Sequence, residues 1–223
     1  MLLCAAAAGF ALWQAAIGWR PAESQYPTQG AMISATDGAV HWPTLKGAGA
    51  DFAYLLATDG DEARDPRFAI NRGGAIAAGL RYGVVHKWRL CRLGADQIAN
   101  FLANVPRDPD MLPPAVMLDL EDDCADRPDV ALLIAELTAF LEAIEPYSGD
   151  PAVLYVTSEF DEAYAITSRA ERSFWLRRRL FPPDYGAVPW AIWEASDIRR
   201  VEGVENPVRW SVVRPPESAK DNP

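Results

Sequence analysis

Histidine and cysteine are scarce: two and three in 223 residues. They are too few and too far apart for a structural zinc site. Positive charge is short as well, with 21 Lys and Arg against 31 Asp and Glu, a formal net charge of −10. Nucleic-acid affinity comes largely from cations on phosphates, so no nucleic-acid partner is expected. Internal repeats and low-complexity tracts are missing. So are the P-loop, Gly-x-Ser-x-Gly, His-Glu-x-x-His and dinucleotide fingerprints, and neither metal nor cofactor is expected. What remains is globular: 50% hydrophobic, 23% charged, with eight Trp, seven Tyr and eight Phe. That composition excludes disorder over the bulk of the chain, and the length suits one domain with a sizeable core.

Charge is also absent from Met1 to Trp19, where Ala, Leu, Ile, Phe and Trp dominate until Arg20. This run has about the length of a bilayer-spanning helix. It reads as a signal peptide or uncleaved anchor over residues 1–23, the alternative being a buried N-terminal helix. No basic n-region precedes it, no small-x-small cleavage site stands out before Tyr26, and Cys4 lacks a lipobox. The domain at 24–214 is then expected outside the cytoplasm (periplasmic, envelope-anchored or secreted) as a monomer that meets membrane only through this segment. A polar tail at 215–223 is expected to be loose.

Periodicity gives strands near Gly30–Ser34, Phe52–Ala57, Tyr82–His86, Ala115–Leu120, Val153–Thr157, Phe174–Leu176, Trp190–Glu194 and Trp210–Val213. Helices are expected after the first five: Pro43–Lys46, Pro66–Ala78 (Phe68, Ile70, Ala75, Ile76), Gly94–Ala103 (Ile98, Phe101, Leu102), Val130–Ile144 and Glu159–Ile166. The longest, Val130–Ile144, carries a stripe of Leu132, Leu133, Leu137, Phe140, Leu141 and Ile144. Alternating β and α elements imply an α/β fold with a parallel sheet, and eight strands close into a barrel. The predicted fold is therefore a single irregular TIM-like barrel of about eight strands and about five helices, the last three strands lacking full helices.

Barrel active sites sit at the C-terminal strand ends. There, Asp119-Leu120-Glu121 places two carboxylates on one face, roughly 7 Å apart at Cα. Glycoside chemistry uses such a pair, one group protonated to donate to the leaving oxygen and one ionised to stabilise the sugar cation. The plain alternative is a solvated acidic loop at the next helix's N-terminus, since four of the five residues from Asp119 to Asp123 are acids.

From Tyr26 to about Arg214 the chain resembles glycoside hydrolase family 25, the Chalaropsis-type muramidases. The resemblance is carried by Gly30-Ala31-Met32-Ile33-Ser34, Gly38 to Trp42, Asp51 to Tyr54, Ala57-Thr58-Asp59-Gly60 and Asp65 to Phe68. It continues through Asn71, Ala78-Gly79-Leu80, Gly83 to His86, Pro113 to Glu121 and Ile192-Trp193-Glu194. It implies hydrolysis of the β-1,4 bond between N-acetylmuramic acid and N-acetylglucosamine, with Glu121 as general acid and Asp119 assisting the acetamido group or stabilising charge. His86, Trp193, Glu194 and Arg209 are the candidate substrate-binding residues. His86 and Trp193 also have ordinary core readings, as do Trp88, Trp175 and Trp190, while Arg177-Arg178-Arg179 reads as a solvated cationic loop.

The departures from the family pattern cluster at the barrel mouth. Met32 and Arg209 stand where the family has aspartates, Ala35, Thr36 and Asp37 follow the first strand, Val85 replaces an aromatic, and Glu194 replaces Gln. Losing negative charge and gaining Arg209 pushes Glu121 toward the ionised state, in which it donates no proton. Arg209 is expected within a few ångströms of Asp119 and Glu121. Two functions follow: a peptidoglycan hydrolase of reduced or lost activity, or a non-catalytic glycan-binding or envelope interaction module. Cys91 and Cys124 follow consecutive strands at one barrel end and are expected to form a disulfide, the alternative being two free thiols.

Overall fold

The computed structural model describes residues 2–121 and 124–216. Asp122, Asp123 and the tail beyond 216 lie outside the described residues. Helix α1 (Leu2–Gly18) precedes β1 (Gln29–Ile33), α2 (Trp42–Gly47), β2 (Phe52–Asp59), β3 (Ala63–Arg64) and α3 (Phe68–Ala77). Then come β4 (Arg81–Lys87), α4 (Gly94–Asn104), β5 (Ala115–Leu118), α5 (Val130–Ile144), β6 (Val153–Val156) and α6 (Ser158–Tyr164). Strands β7 (Ser173–Arg177), β8 (Ile192–Arg199) and β9 (Val208–Val213) complete the order. Eight strands close into a barrel, because β1 pairs with both β2 and β9, while β3 adds a short hairpin to the end of β2.

The sheet is mixed rather than wholly parallel. β9 runs antiparallel to both β8 and β1. No helix lies between β8 and β9, and without a crossover the chain cannot return to the barrel floor, so it must reverse. The fold is the expected irregular TIM-like barrel with one inverted strand.

Strand alternation sorts the core into two layers. Met32, Phe52, Tyr54, Val85, Met117, Tyr155 and Trp175 fill the barrel. Gly83 leaves room for the Tyr54 ring, since a Cβ there would lie 2.4 Å from it. The outer layer packs helices on strands and includes Leu133, Leu137, Phe140, Leu141 and Ile144 of α5. Leu132, Ile70, Ile76 and Leu102, expected on buried stripes, are exposed. Amides occupy the inner faces of α3 and α4 instead: Asn71, Gln97 and Asn100 are buried. Asn100 Nδ2 donates to Gly60 O (2.8 Å) and Ala63 O (2.9 Å), and Gln97 Nε2 to Arg89 O (3.0 Å) and Arg92 O (3.1 Å). Helix α4 thus spends buried positions on loop carbonyls that would otherwise be unpaired.

His86 belongs to this clamp. It is 0% exposed, its Nε2 lies 3.1 Å from Gln97 Oε1 and its Nδ1 2.9 Å from Thr58 Oγ1. The ring centroid sits 4.5 Å from that of Phe140. Burial pushes its pKa down to about 4. Placed on the outer face of β4 with both nitrogens engaged, His86 is a core residue and does not reach the mouth.

Helix α1 is exposed from Gly9 to Ala15. Phe10, Leu12 and Trp13 are exposed while Ile17 is buried, and among the described residues no helix is long and apolar enough to cross a membrane. Its C-terminal end is tied to β8 and the residue after it: Arg199 Nη1 donates to Gly18 O (2.5 Å) and Arg200 N–H to Ile17 O (2.7 Å). Trp19 and Tyr26 then pack on Trp193, with centroids 6.4 and 5.6 Å away.

Cys91 and Cys124 are bonded, with Cα atoms 5.3 Å apart and a sequence separation of 33. Opening a loop of that length should destabilise the fold by about 3–4 kcal/mol. The paired Cys91→Ser, Cys124→Ser variant is expected to show this in denaturant unfolding, and an unchanged midpoint would refute it. His86 predicts a pH effect. Its folded pKa is depressed, so the unfolded chain binds the extra proton between about pH 6.5 and about 4, and stability falls as pH drops through that window. His86→Gln should flatten the thermal-midpoint slope across it.

Candidate active site

The inward parity of β5 runs through Ala115 and Met117 and continues past the strand to Asp119 and Glu121. Asp119 is 4% exposed, and its Oδ1 accepts the Glu121 N–H at 3.1 Å. The Glu121 side chain is 52% exposed. Lys87, the last residue of β4, bridges the two: its Nζ lies 3.2 Å from Asp119 Oδ2 and 3.3 Å from Glu121 Oε2. The two carboxylates therefore share one ammonium at the C-terminal mouth.

A second cation arrives from β7. Arg177 Nη1 lies 3.6 Å from Glu121 Oε1, its Nε 3.5 Å from Glu194 Oε1 and its Nη2 3.0 Å from Asp197 Oδ2. Of the run Arg177-Arg178-Arg179, only Arg177 belongs to the strand, and the other two follow it in an exposed turn. Arg177 is an inward strand residue, Arg178 pairs with Asp184, and Arg179 pairs with Asp197. Arg209 faces inward from β9, opposite Met32 in the register. It does not sit against Asp119 and Glu121: among the described residues it forms no ion pair within 4 Å, and its Nη1 rests 3.6 Å from Met117 Sδ. Lys87 holds the place expected for Arg209 because β4 adjoins β5, whereas β9 lies across the mouth.

Two acids respond in opposite ways. Burial raises the Glu121 carboxyl, but Lys87, Arg209 and Arg177 together outweigh it and hold the group below the usual glutamate range. Glu194 is 1% exposed, and burial pushes it up to about 6 against the pull of Arg209 and Arg177. The Tyr155 hydroxyl beside it is raised well above the ordinary range by burial and by that carboxylate. Neither Glu194 oxygen nor the Tyr155 hydroxyl finds a well-formed hydrogen bond.

Trp193 stands apart. It lies on the outer face of β8, 2% exposed, under Trp19 and Tyr26, and its Nε1 donates to Arg178 O at 2.6 Å. It supports the wall and offers no ring to a ligand. Of the sequence candidates, Asp119, Glu121, Glu194 and Arg209 meet at the mouth, whereas His86 and Trp193 do not. Sequence patterning singles out neither Lys87 nor Tyr155 and reads Arg177 as part of a loop, although counting by twos from Val85, Val153 and Trp175 points each one inward.

A cavity of 220 Å³ opens beside this group, lined by Met32, Ser34, Thr36, Asp37, Leu56, Asp59, Lys87, Met117 and Arg209. A second of 450 Å³, lined by Asp59 to Ala63, Arg89, Arg92 and the Cys91–Cys124 bridge, shares Asp59 with it.

The chain resembles the Escherichia coli (strain K12) protein YegX at 24% identity over 211 residues, 87% of this chain and 75% of that one. Among solved structures, a family 25 glycosyl hydrolase from Bacillus anthracis superposes with a TM-score of 0.81 at 23% identity, covering 88% of this chain and 93% of the other. A bacterial lysozyme from Streptomyces coelicolor gives 0.73 at 24% identity, covering 85% and 93%. At these identities the structural likenesses establish the barrel alone. The family model for glycosyl hydrolases family 25 matches residues 13–204, and on that match the chain belongs to this family.

Proposed function

We propose that the barrel is a lysozyme-like glycoside hydrolase acting on the β-1,4 glycan strands of peptidoglycan, with turnover restrained at neutral pH. The observation carrying this reading is the Asp119–Lys87–Glu121 bridge at the mouth. Glu121, the more exposed carboxyl, is the proton donor to the leaving oxygen, and Asp119 beneath it stabilises the charge developing at the sugar. The two cavities sharing Asp59 offer a place for the glycan beside them. Its substrate would lie outside the cytoplasmic membrane, and the apolar N-terminal segment and the Cys91–Cys124 bridge support an extracytoplasmic site of action.

The restraint is electrostatic. Held below the usual glutamate range, Glu121 is ionised near neutrality and regains its proton only in acid. Peptidoglycan hydrolysis should therefore climb as pH falls from about 7 toward the ordinary glutamate range near about 4.5. A second reading, a glycan-binding barrel without turnover, draws on the apolar Met32 and cationic Arg209 facing the cavity.

Dye release from peptidoglycan tests both. Glu121→Gln should lower the rate at least about 100-fold. Lys87→Met, which removes the shared ammonium, should raise the rate near neutral pH about tenfold if it lifts the Glu121 pKa by one unit. No release at any pH, with peptidoglycan still retained by the protein, would favour the binding module.

A further inference from the structure

The 220 Å³ cavity contains one cation, Arg209, that acts on Glu194 and Glu121 from a distance but has no carboxylate in direct contact among the described residues. Lys87 is held between Asp119 and Glu121. Asp59 is gripped by Arg89, whose Nε and Nη2 lie 2.5 and 2.7 Å from its two oxygens. Asp37 accepts the Ser34 N–H at 2.6 Å and the Ser34 hydroxyl at 3.0 Å. Arg209 alone has only a thioether, Met117 Sδ at 3.6 Å, and among the described residues no ion pair within 4 Å. A guanidinium presents five N–H donors in a rigid fork that matches a carboxylate, and a sulfur answers one of them weakly.

We propose that this cavity is a carboxylate subsite in which Arg209 forks onto the acid group of a single sugar unit, so that the protein selects glycans bearing free carboxylates. The inference rests on the glycan reading above and names the substrate feature that the same mouth selects. Arg209 lies on β9 opposite Met32, with the Ser34 and Thr36 hydroxyls lining the cavity they share. Hydroxyls and a carboxylate-binding arginine in one small space suit a sugar acid. Asp37 and Asp59 line the same cavity; they accept sugar hydroxyls, repel a second negative charge, and so orient a lone carboxylate toward Arg209 while disfavouring a doubly charged phosphate. At 220 Å³ the space is below the roughly 300–1,000 Å³ of pockets for drug-sized ligands, which limits the occupant to one unit.

Binding is measured by NMR titration of the full chain near neutral pH with three monosaccharides. These are N-acetylmuramic acid, its methyl ester, and N-acetylglucosamine, which lacks the lactyl group. The free acid should bind at least about tenfold more tightly than the other two, the scale of one hydrogen-bonded charge. Added salt should weaken that preference. Arg209→Gln should abolish it and Arg209→Lys should keep part of it. Equal binding of the three sugars, no binding at all, or a preference surviving in Arg209→Gln would overturn the proposal. If Arg209→Gln shows no cooperative thermal transition, complete retention of the preference in Arg209→Lys is the refuting result, since lysine lacks the fork. Dye release separates the two readings. Hydrolysis without a carboxylate preference removes the subsite and leaves the hydrolase, whereas a preference without hydrolysis does the reverse.

Discussion

Inside a closed barrel, every second side chain of every strand enters one narrow interior, and none can leave without a slip in register. In this chain the lower levels of that interior are apolar and aromatic, up to Met117, Tyr155 and Trp175. One step higher, the same alternation delivers Lys87, Asp119, Arg177, Glu194 and Arg209 to the mouth. Charges brought that close must compensate one another, because a lone buried ion is far costlier than a paired one. Lys87 between Asp119 and Glu121, and Arg177 between Glu121 and Glu194, are the resulting compromise. The electrostatic character of the site follows from strand parity before any loop contributes.

That parity also explains what was readable in advance. The alternation of strands and helices, the breadth of the weak motif matches, and the Asp119-Leu120-Glu121 spacing all survive without knowledge of neighbours, so the barrel and its acidic pair were legible. Partner choice was not. Arg209 is inward, as expected, but whether it or Lys87 meets the carboxylates depends on which strand adjoins β5, a matter of closure geometry rather than spacing. Arg177 was hidden because a run of three arginines looks like a solvated loop until the end of β7 is fixed. Trp193 and Glu194 are adjacent in sequence, yet one supports the outer layer and the other faces the mouth, so a single motif serves both faces of β8.

The polar helix faces were the least legible feature. Ile70, Ile76, Leu102 and Leu132 have the chemistry of core residues and are exposed, while Asn71, Gln97 and Asn100 are buried. A hydrophobicity pattern cannot anticipate this, since the burial of an amide depends on which carbonyls a distant loop presents. Gln97 binds the chain at Arg89 and Arg92 and faces His86; Asn100 binds the chain at Gly60 and Ala63. Together with the Cys91–Cys124 bridge they fasten the turns that carry Asp59 and Lys87 to helices of the outer layer.

The reversed strand β9 gives the opposite rim a different construction. Because it runs downward, it presents its beginning rather than its end to the mouth, and the segment leading into it lies along the rim. That segment is laced to the turn after β1: His41 N–H donates to Gly203 O (2.6 Å), Glu205 N–H to Ala39 O (3.1 Å), and Asn206 Nδ2 to Thr36 O (3.0 Å). Ser34, Thr36 and Arg209 therefore stand on one stitched wall, and Asp59 and Lys87 on another pinned by amides and a disulfide. A site bounded by two such walls selects its ligand by fit to a fixed gap, not by folding around it. Changes of specificity in this architecture should therefore come from exchanging side chains along the seam rather than from lengthening its loops.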